Sequence, residues 1–181
     1  MNSDREKLKK LLKENSILRG KFNLSSGKKS DYYIDARLTT LHPEGVYLVG
    51  KIFLDEIAKS PEIKAVGGPT MGADPIVGSI LVLSNQKGHP LDGFIVRKNE
   101  KDHGTGKLIE GNLKSGYDVA IVEDVITTGR SVFWAIDAVE KSGTVVKKVL
   151  VMVDREEGGK ELIEQKGYEF FSIFHIGELL E

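Results

Sequence analysis

The sequence predicts an α/β fold: a single domain with a mostly parallel central sheet flanked by helices, plus a small N-terminal lobe. Three observations carry that expectation. From about residue 65 onward, short apolar runs alternate with helical patterns, as buried parallel strands joined by crossover helices do. The 181 residues suit one unit where a typical domain holds about 150. No internal repeat, low-complexity tract or linker interrupts the chain, so 1–181 reads as one domain with 1–40 as a lobe packed on it.

The elements follow in order. Ser3 and Glu6 form an S-x-x-E capping box ahead of Leu8, Leu11 and Leu12 at helical spacing, with the intervening lysines on a solvated face. Residues 17–36 read as a β-hairpin turning at Ser25-Ser26-Gly27-Lys28-Lys29. A helix opens at Pro43, entered through His42, with Val46, Val49, Phe53 and Ile57 along one stripe and Pro61 beyond its end. Ala65–Gly67 is a short strand, and a helix runs from Asp74-Pro75, with Asp74 as its cap, to about Asn85. Phe94–Arg97 and Val119–Val122 are strands, and Ser131–Ser142 is a helix closed by Gly143. Val149–Val153 is a strand, 157–166 a helix ended by Gly167, and 169–174 the final strand.

Composition removes several function classes. Lys and Arg total 26 and Asp and Glu 27, so the net charge of −1 gives no field that favours nucleic acid or an anionic membrane. There is no cysteine, which excludes disulfides, thiolate metal sites and a cysteine nucleophile, and fits a reducing compartment. The N-terminus lacks an apolar secretory core, and Ile76–Leu83 and Phe170–Ile176 fall short of the ~20 residues a spanning helix needs. A cytoplasmic protein with neither membrane nor nucleic acid as partner is expected. His42, His89 and His175 show no metal-ligand spacing, and Trp134 reads as core or interface.

Two irregular segments remain, Lys98–Leu108 and Glu123–Arg130. Both follow strands at their carboxyl ends, where open α/β sheets bind ligands. In the run 118–134, a buried strand delivers Glu123 and Asp124 to its end, and Thr127-Thr128-Gly129 opens a helix near Ser131. Small hydroxyl residues and a glycine let N–H groups converge on an anion at a helix N-terminus. Paired carboxylates repel phosphate but suit ribose hydroxyls or a metal-bound sugar phosphate. A ligand with a phosphate at one end and a diol beside it is implied. Neither a Walker loop nor a dinucleotide fingerprint is present. Arg97 to Gly104 adds Arg97, Lys98, Lys101 and His103, cations of the kind polyphosphate needs on a loop able to close.

Val119 to Ser131, VAIVEDVITTGRS, resembles the phosphoribosyl-diphosphate (PRPP) motif of type I phosphoribosyltransferases. Arg97-Lys98-Asn99-Glu100-Lys101-Asp102-His103-Gly104 resembles the R-K-x-x-K-D-H-G loop of the orotate phosphoribosyltransferases. Phe22–Gly27 with Ser30–Asp35, Gly68–Pro75 and Asp154-Arg155 resemble that family's hood, pyrophosphate loop and orotate-recognising arginine, in the family's order. The resemblance implies transfer of the phosphoribosyl group of PRPP to orotate, giving orotidine 5′-phosphate and pyrophosphate in pyrimidine biosynthesis. PRPP would be held by Arg97, Lys98, Lys101, His103, Glu123, Asp124, Val125, Ile126, Thr127, Thr128, Gly129, Arg130 and Ser131. Lys101, His103 and Asp124 would act in catalysis, with Thr127 and Arg155 on orotate. Mg2+ would travel on PRPP without direct protein ligands, and a homodimer would share its active sites. Ser25 and Met71 stand where many relatives carry lysine. A phosphoribosyltransferase for another base and a non-catalytic PRPP- or nucleotide-binding regulator remain as alternatives.

Overall fold

The computed structural model describes residues 2–23, 29–98 and 107–181. Helix α1 (Asn2–Asn15) leads into an antiparallel hairpin of β1 (Ile17–Asn23) and β2 (Lys29–Ile34). A short helix α2 (Arg37–Thr40) and α3 (Pro43–Ile57) follow, and His42 with Pro43 makes the expected entry. Then come β3 (Ile63–Pro69), α4 (Ala73–Gln86), β4 (Asp92–Val96) and β5 (Ile109–Gly111). Next are β6 (Asp118–Ile126), α5 (Arg130–Glu140), β7 (Val145–Asp154), α6 (Gly159–Gln165), β8 (Glu169–His175) and α7 (Ile176–Leu180).

Six strands form a sheet in the order β5-β4-β3-β6-β7-β8, parallel except for the β4–β5 pair. Its two faces are read directly from residue parity. Val66, Ala120, Val122, Leu150 and Met152 pack under α1, α3 and α4, whereas Ala65, Val119, Ile121, Val149 and Val151 pack under α5 and α6. Burial on both faces is why these strands read as continuous apolar runs. The chain leaves β3 toward β4 on one side and returns to β6 on the other. The crevice outside the carboxyl ends of β3 and β6 is therefore the topological switch point. Among the described residues no helix is long and apolar enough to cross a membrane.

Several boundaries differ from expectation for identifiable reasons. Helix α1 already includes Asn2, so Ser3 lies in its first turn and not at the cap. Asp74 is one residue inside α4, whose N-cap is Gly72, and its Oδ2 instead accepts from Thr70 Oγ1 at 2.8 Å. Strand β6 does not stop at Val122. Pairing with β7 continues from Glu123↔Val151 to Ile126↔Asp154, so the acid pair lies within the strand. Part of the irregular stretch after Arg97 is followed at once by β5, which closes the sheet edge against β4.

Candidate active site

The carboxyl ends of β3, β4 and β6 converge with the exit of the N-terminal hairpin. They frame a cleft of about 490 Å³ lined by Tyr33–Arg37, Thr70–Gly72, Lys98, Asp124 and Val125. Glu123 is buried and Asp124 half-buried, and the Asp124 N–H donates to Glu123 Oε1 at 3.3 Å. Ser131 Oγ donates to Glu123 Oε2 at 3.1 Å, and the Val125 N–H donates to Asp124 Oδ1 at 2.7 Å. Gly72 faces both acids. A Cβ there would lie 2.6 Å from Asp124 Oδ1 and 2.6 Å from Glu123 Oε1, so only glycine leaves the pair undisturbed.

Burial pushes the Glu123 carboxyl well above its ordinary range, and the Asp124 charge pushes it further. Burial raises Asp124 as well, opposed by the Val125 N–H and the nearby Arg37 charge. The folded protein thus holds these protons more tightly than the unfolded chain. The stability these two groups contribute is fully present below the ordinary carboxylate range and is lost as pH climbs through the raised values. Glu123→Gln is accordingly expected to raise the melting temperature of the empty protein at neutral pH. Thermal unfolding followed by fluorescence at pH 5 and pH 8 checks this, and the gain should be larger at pH 8.

The loop after β6 is Thr127 to Gly129, and Gly129 caps α5 with φ +79°, a left-handed conformation that glycine adopts freely. Its N–H groups stand at the N-terminus of an 11-residue helix, where dipole and unpaired donors favour an anion. Thr128 and Arg130 are exposed at this turn, and Thr127 and Ser131 are half-buried. Ile126 places its side chain in the core under α5, and its carbonyl accepts from the Arg155 N–H at 3.0 Å. The Gly159 N–H donates to the Thr127 carbonyl at 3.0 Å. The turn after β7 is therefore bonded to the loop after β6.

Arg155 emerges from that turn with its guanidinium 5.5 Å from the centre of the Tyr32 ring on β2. Its Nε lies 3.1 Å from Glu157 Oε1, in ion contact without hydrogen-bond alignment. Lys98 lines the cleft, whereas Arg97 turns toward β5, with Nη1 3.7 Å from Glu110 Oε1. Lys101 and His103 lie outside the described residues, as does Ser25; Met71 is exposed on the cleft wall. One cleft residue, Arg37, lies outside the sequence motifs. Arg37 donates from Nε and Nη2 to Asp35 at 2.9 and 3.1 Å and faces Asp124 across the opening. A local D-x-R spacing was the available signal for Arg37, but only the hairpin's return over β6 gives it meaning.

No protein-family model matches the chain. It is 45% identical over 180 residues to the orotate phosphoribosyltransferase of Aquifex aeolicus, covering 98% of each chain. The chain belongs to the orotate phosphoribosyltransferase family. Among solved structures, Mycobacterium tuberculosis H37Rv orotate phosphoribosyltransferase in complex with Fe(III) dicitrate superposes with a TM-score of 0.85 at 39% identity. That match covers 97% of this chain and 98% of that one. The same M. tuberculosis enzyme in complex with PRPP gives a TM-score of 0.82 at 36% identity, over 98% and 99% of the two chains. The architecture is that of the type I phosphoribosyltransferases, and the chain is an enzyme of the orotate branch.

Proposed function

We propose that this chain binds PRPP and orotate in the cleft between β3, β6 and the hairpin, and joins them to give orotidine 5′-phosphate and pyrophosphate. One observation carries the reading: the Arg155 turn is bonded through Ile126 and Thr127 to the acid-pair strand and its anion-binding loop. A base-recognising cation and a phosphate cradle are thereby held at fixed separation on one sheet edge. Thr127 to Ser131 bind the 5′-phosphate through N–H and hydroxyl donors, and Val125 forms the wall beside it. Glu123 and Asp124 take the ribose hydroxyls and favour positive charge on the sugar as pyrophosphate departs. Arg97, Lys98, Lys101 and His103 neutralise the leaving group. Arg155 offers a planar donor fork to the pyrimidine, stiffened by Tyr32 and Glu157. No covalent nucleophile is required, because positioning and electrostatics carry the rate.

The hard oxygen donors of Glu123 and Asp124 fit a magnesium ion that keeps its waters and arrives on PRPP. Among the described residues no third His, Cys, Asp or Glu joins them. When bound, the ion supplies charge neutralisation to the pyrophosphate. A homodimer belongs to the same reading. Leu41 is 71% and Val82 58% exposed, and both edge an apolar groove of about 510 Å³ between α3 and α4. Leu38, also exposed, adjoins Arg37 of the cleft. A second copy seated on that face by two-fold symmetry covers the apolar surface and sets its own residues beside the cleft. Multiply charged substrates do not cross a bilayer unaided, which suits a cytoplasmic location.

The direct test is to incubate purified protein with PRPP, magnesium and each nucleobase in turn and to measure pyrophosphate. Release with orotate alone is expected; release with hypoxanthine, adenine or guanine and none with orotate would overturn the assignment. Arg155→Ala is expected to weaken orotate binding by about 1.5–3 kcal/mol, roughly ten- to a hundred-fold, the typical loss for a charge-assisted hydrogen bond. PRPP affinity should stay nearly unchanged, and calorimetry with each ligand separates the two.

A further inference from the structure

We infer that Asp154 is a positioning residue for orotate recognition, acting on Arg155 through the left-handed residue Glu156. The inference rests on Arg155 being the orotate-binding group. Asp154 ends β7 in the sheet between Ile126 and His175, and only 1% of it is exposed. A carboxylate is costly at such a position without partners. Its Oδ1 accepts from the Glu156 N–H at 2.8 Å, two residues on, which is the hydrogen bond of an Asx turn. Its Oδ2 lies 3.7 Å from His175 Nδ1, beyond hydrogen-bond length.

Glu156 is the residue that needs this bond. Its φ of +56° is the positive value found at a non-glycine position among the described residues. Side chains resist that region because Cβ crowds the following carbonyl. The Asx turn holds Glu156 there, and the reversal it creates sets the geometry on either side. Arg155 directs its N–H back to the Ile126 carbonyl and its guanidinium to Tyr32. Glu157 reaches the Arg155 Nε, and Gly159 meets the Thr127 carbonyl. Without the Asp154 acceptor, Glu156 relaxes toward negative φ and the guanidinium loses its aim. The phosphate loop keeps its own support from Gly129, so PRPP binding should not share the loss.

Steady-state kinetics on the full chain test this with Asp154→Ala, Asp154→Asn, Glu156→Gly, Asp154→Ala/Glu156→Gly and Arg155→Ala. Asp154→Ala is expected to raise the orotate KM about tenfold or more, as misplacing a substrate-orienting group does, with the PRPP KM within about twofold. Asp154→Asn should recover nearly all of it, because the amide oxygen still accepts from the Glu156 N–H. Glycine at 156 takes positive φ without a holding bond, so the double variant should regain at least half of what Asp154→Ala loses. Equal rises in both KM values, or no recovery in either rescue variant, would overturn the inference. An orotate KM moved by Arg155→Ala but not by Asp154→Ala would defeat it while leaving the role of Arg155 intact. An orotate KM unmoved by Arg155→Ala would remove the parent reading instead. Should Asp154→Ala fail to fold, Glu156→Val strains the same turn and keeps the buried acid. It must then raise the orotate KM alone, and no rise would overturn the inference.

Discussion

Asp124→Asn is expected to lower kcat about 10²–10³-fold while PRPP still binds, the scale lost when one preorganised electrostatic group is removed from a transition state. The amide keeps the shape and can still accept from the Val125 N–H, now 2.7 Å from Oδ1. What disappears is a negative charge beside the sugar as positive charge develops there. Glu123 replaces only part of that charge, since its carboxyl is buried, with Oε2 accepting from Ser131 Oγ, and burial still raises its pKa when Asn stands at 124. A stabilisation realised only in the transition state appears in kcat and not in KM. Unchanged kcat with a raised PRPP KM would make Asp124 a binding group only. The same variant tests the shared site. Mixed with an equally inactive Lys101→Ala chain, it should form heterodimers in about half of all pairings, each with one intact site. Roughly a quarter of wild-type activity then returns, as two-fold symmetry requires. No recovery with subunit exchange verified by mass spectrometry would assign the 97–104 loop to its own subunit.

The second large effect is expected at the helix cap. Gly129→Val should abolish measurable PRPP binding, a loss of about 10²-fold or more from misplaced donors. Gly129 sits at φ +79°, and a Cβ would come within 3.2 Å of the Phe133 ring. A left-handed L-residue costs about 1–2 kcal/mol, within what a domain of this size tolerates, so the variant should remain folded. Calorimetric titration with PRPP on protein of verified circular dichroism measures it. Wild-type affinity would remove this turn from the phosphate site.

Much of this site was legible because its parts are local. The apolar run ending in Glu123-Asp124 and Thr127 to Ser131 are contiguous, and the glycine turn before α5 follows from residue type alone. Strand length was not legible in the same way. The polar character of Glu123 suggests that β6 has ended, yet the ladder to Asp154 of β7 extends it by four residues beyond Val122. Likewise, nothing local says that Asp74 will bond Thr70 and not cap its own helix. Arg37 joins the site only through packing of segments distant in sequence, and the same packing sets Gly72 against the acids and Tyr32 against Arg155. The strand β5 and helix α7 are three and five residues long, too short for a period to show. Lys101 and His103 lie outside the described residues, so their part rests on the kinetics above.

The crowding of two acids under Gly72 has an outcome for anyone breeding this enzyme for heat tolerance. A library heated without substrate and ranked by survival rewards whatever relieves the buried charges, and Glu123→Gln or Asp124→Asn does so at once. The winners would be robust and inert. Screening has to score turnover after heating, or heat the library with PRPP present, so that occupancy makes the acid pair an asset during the challenge.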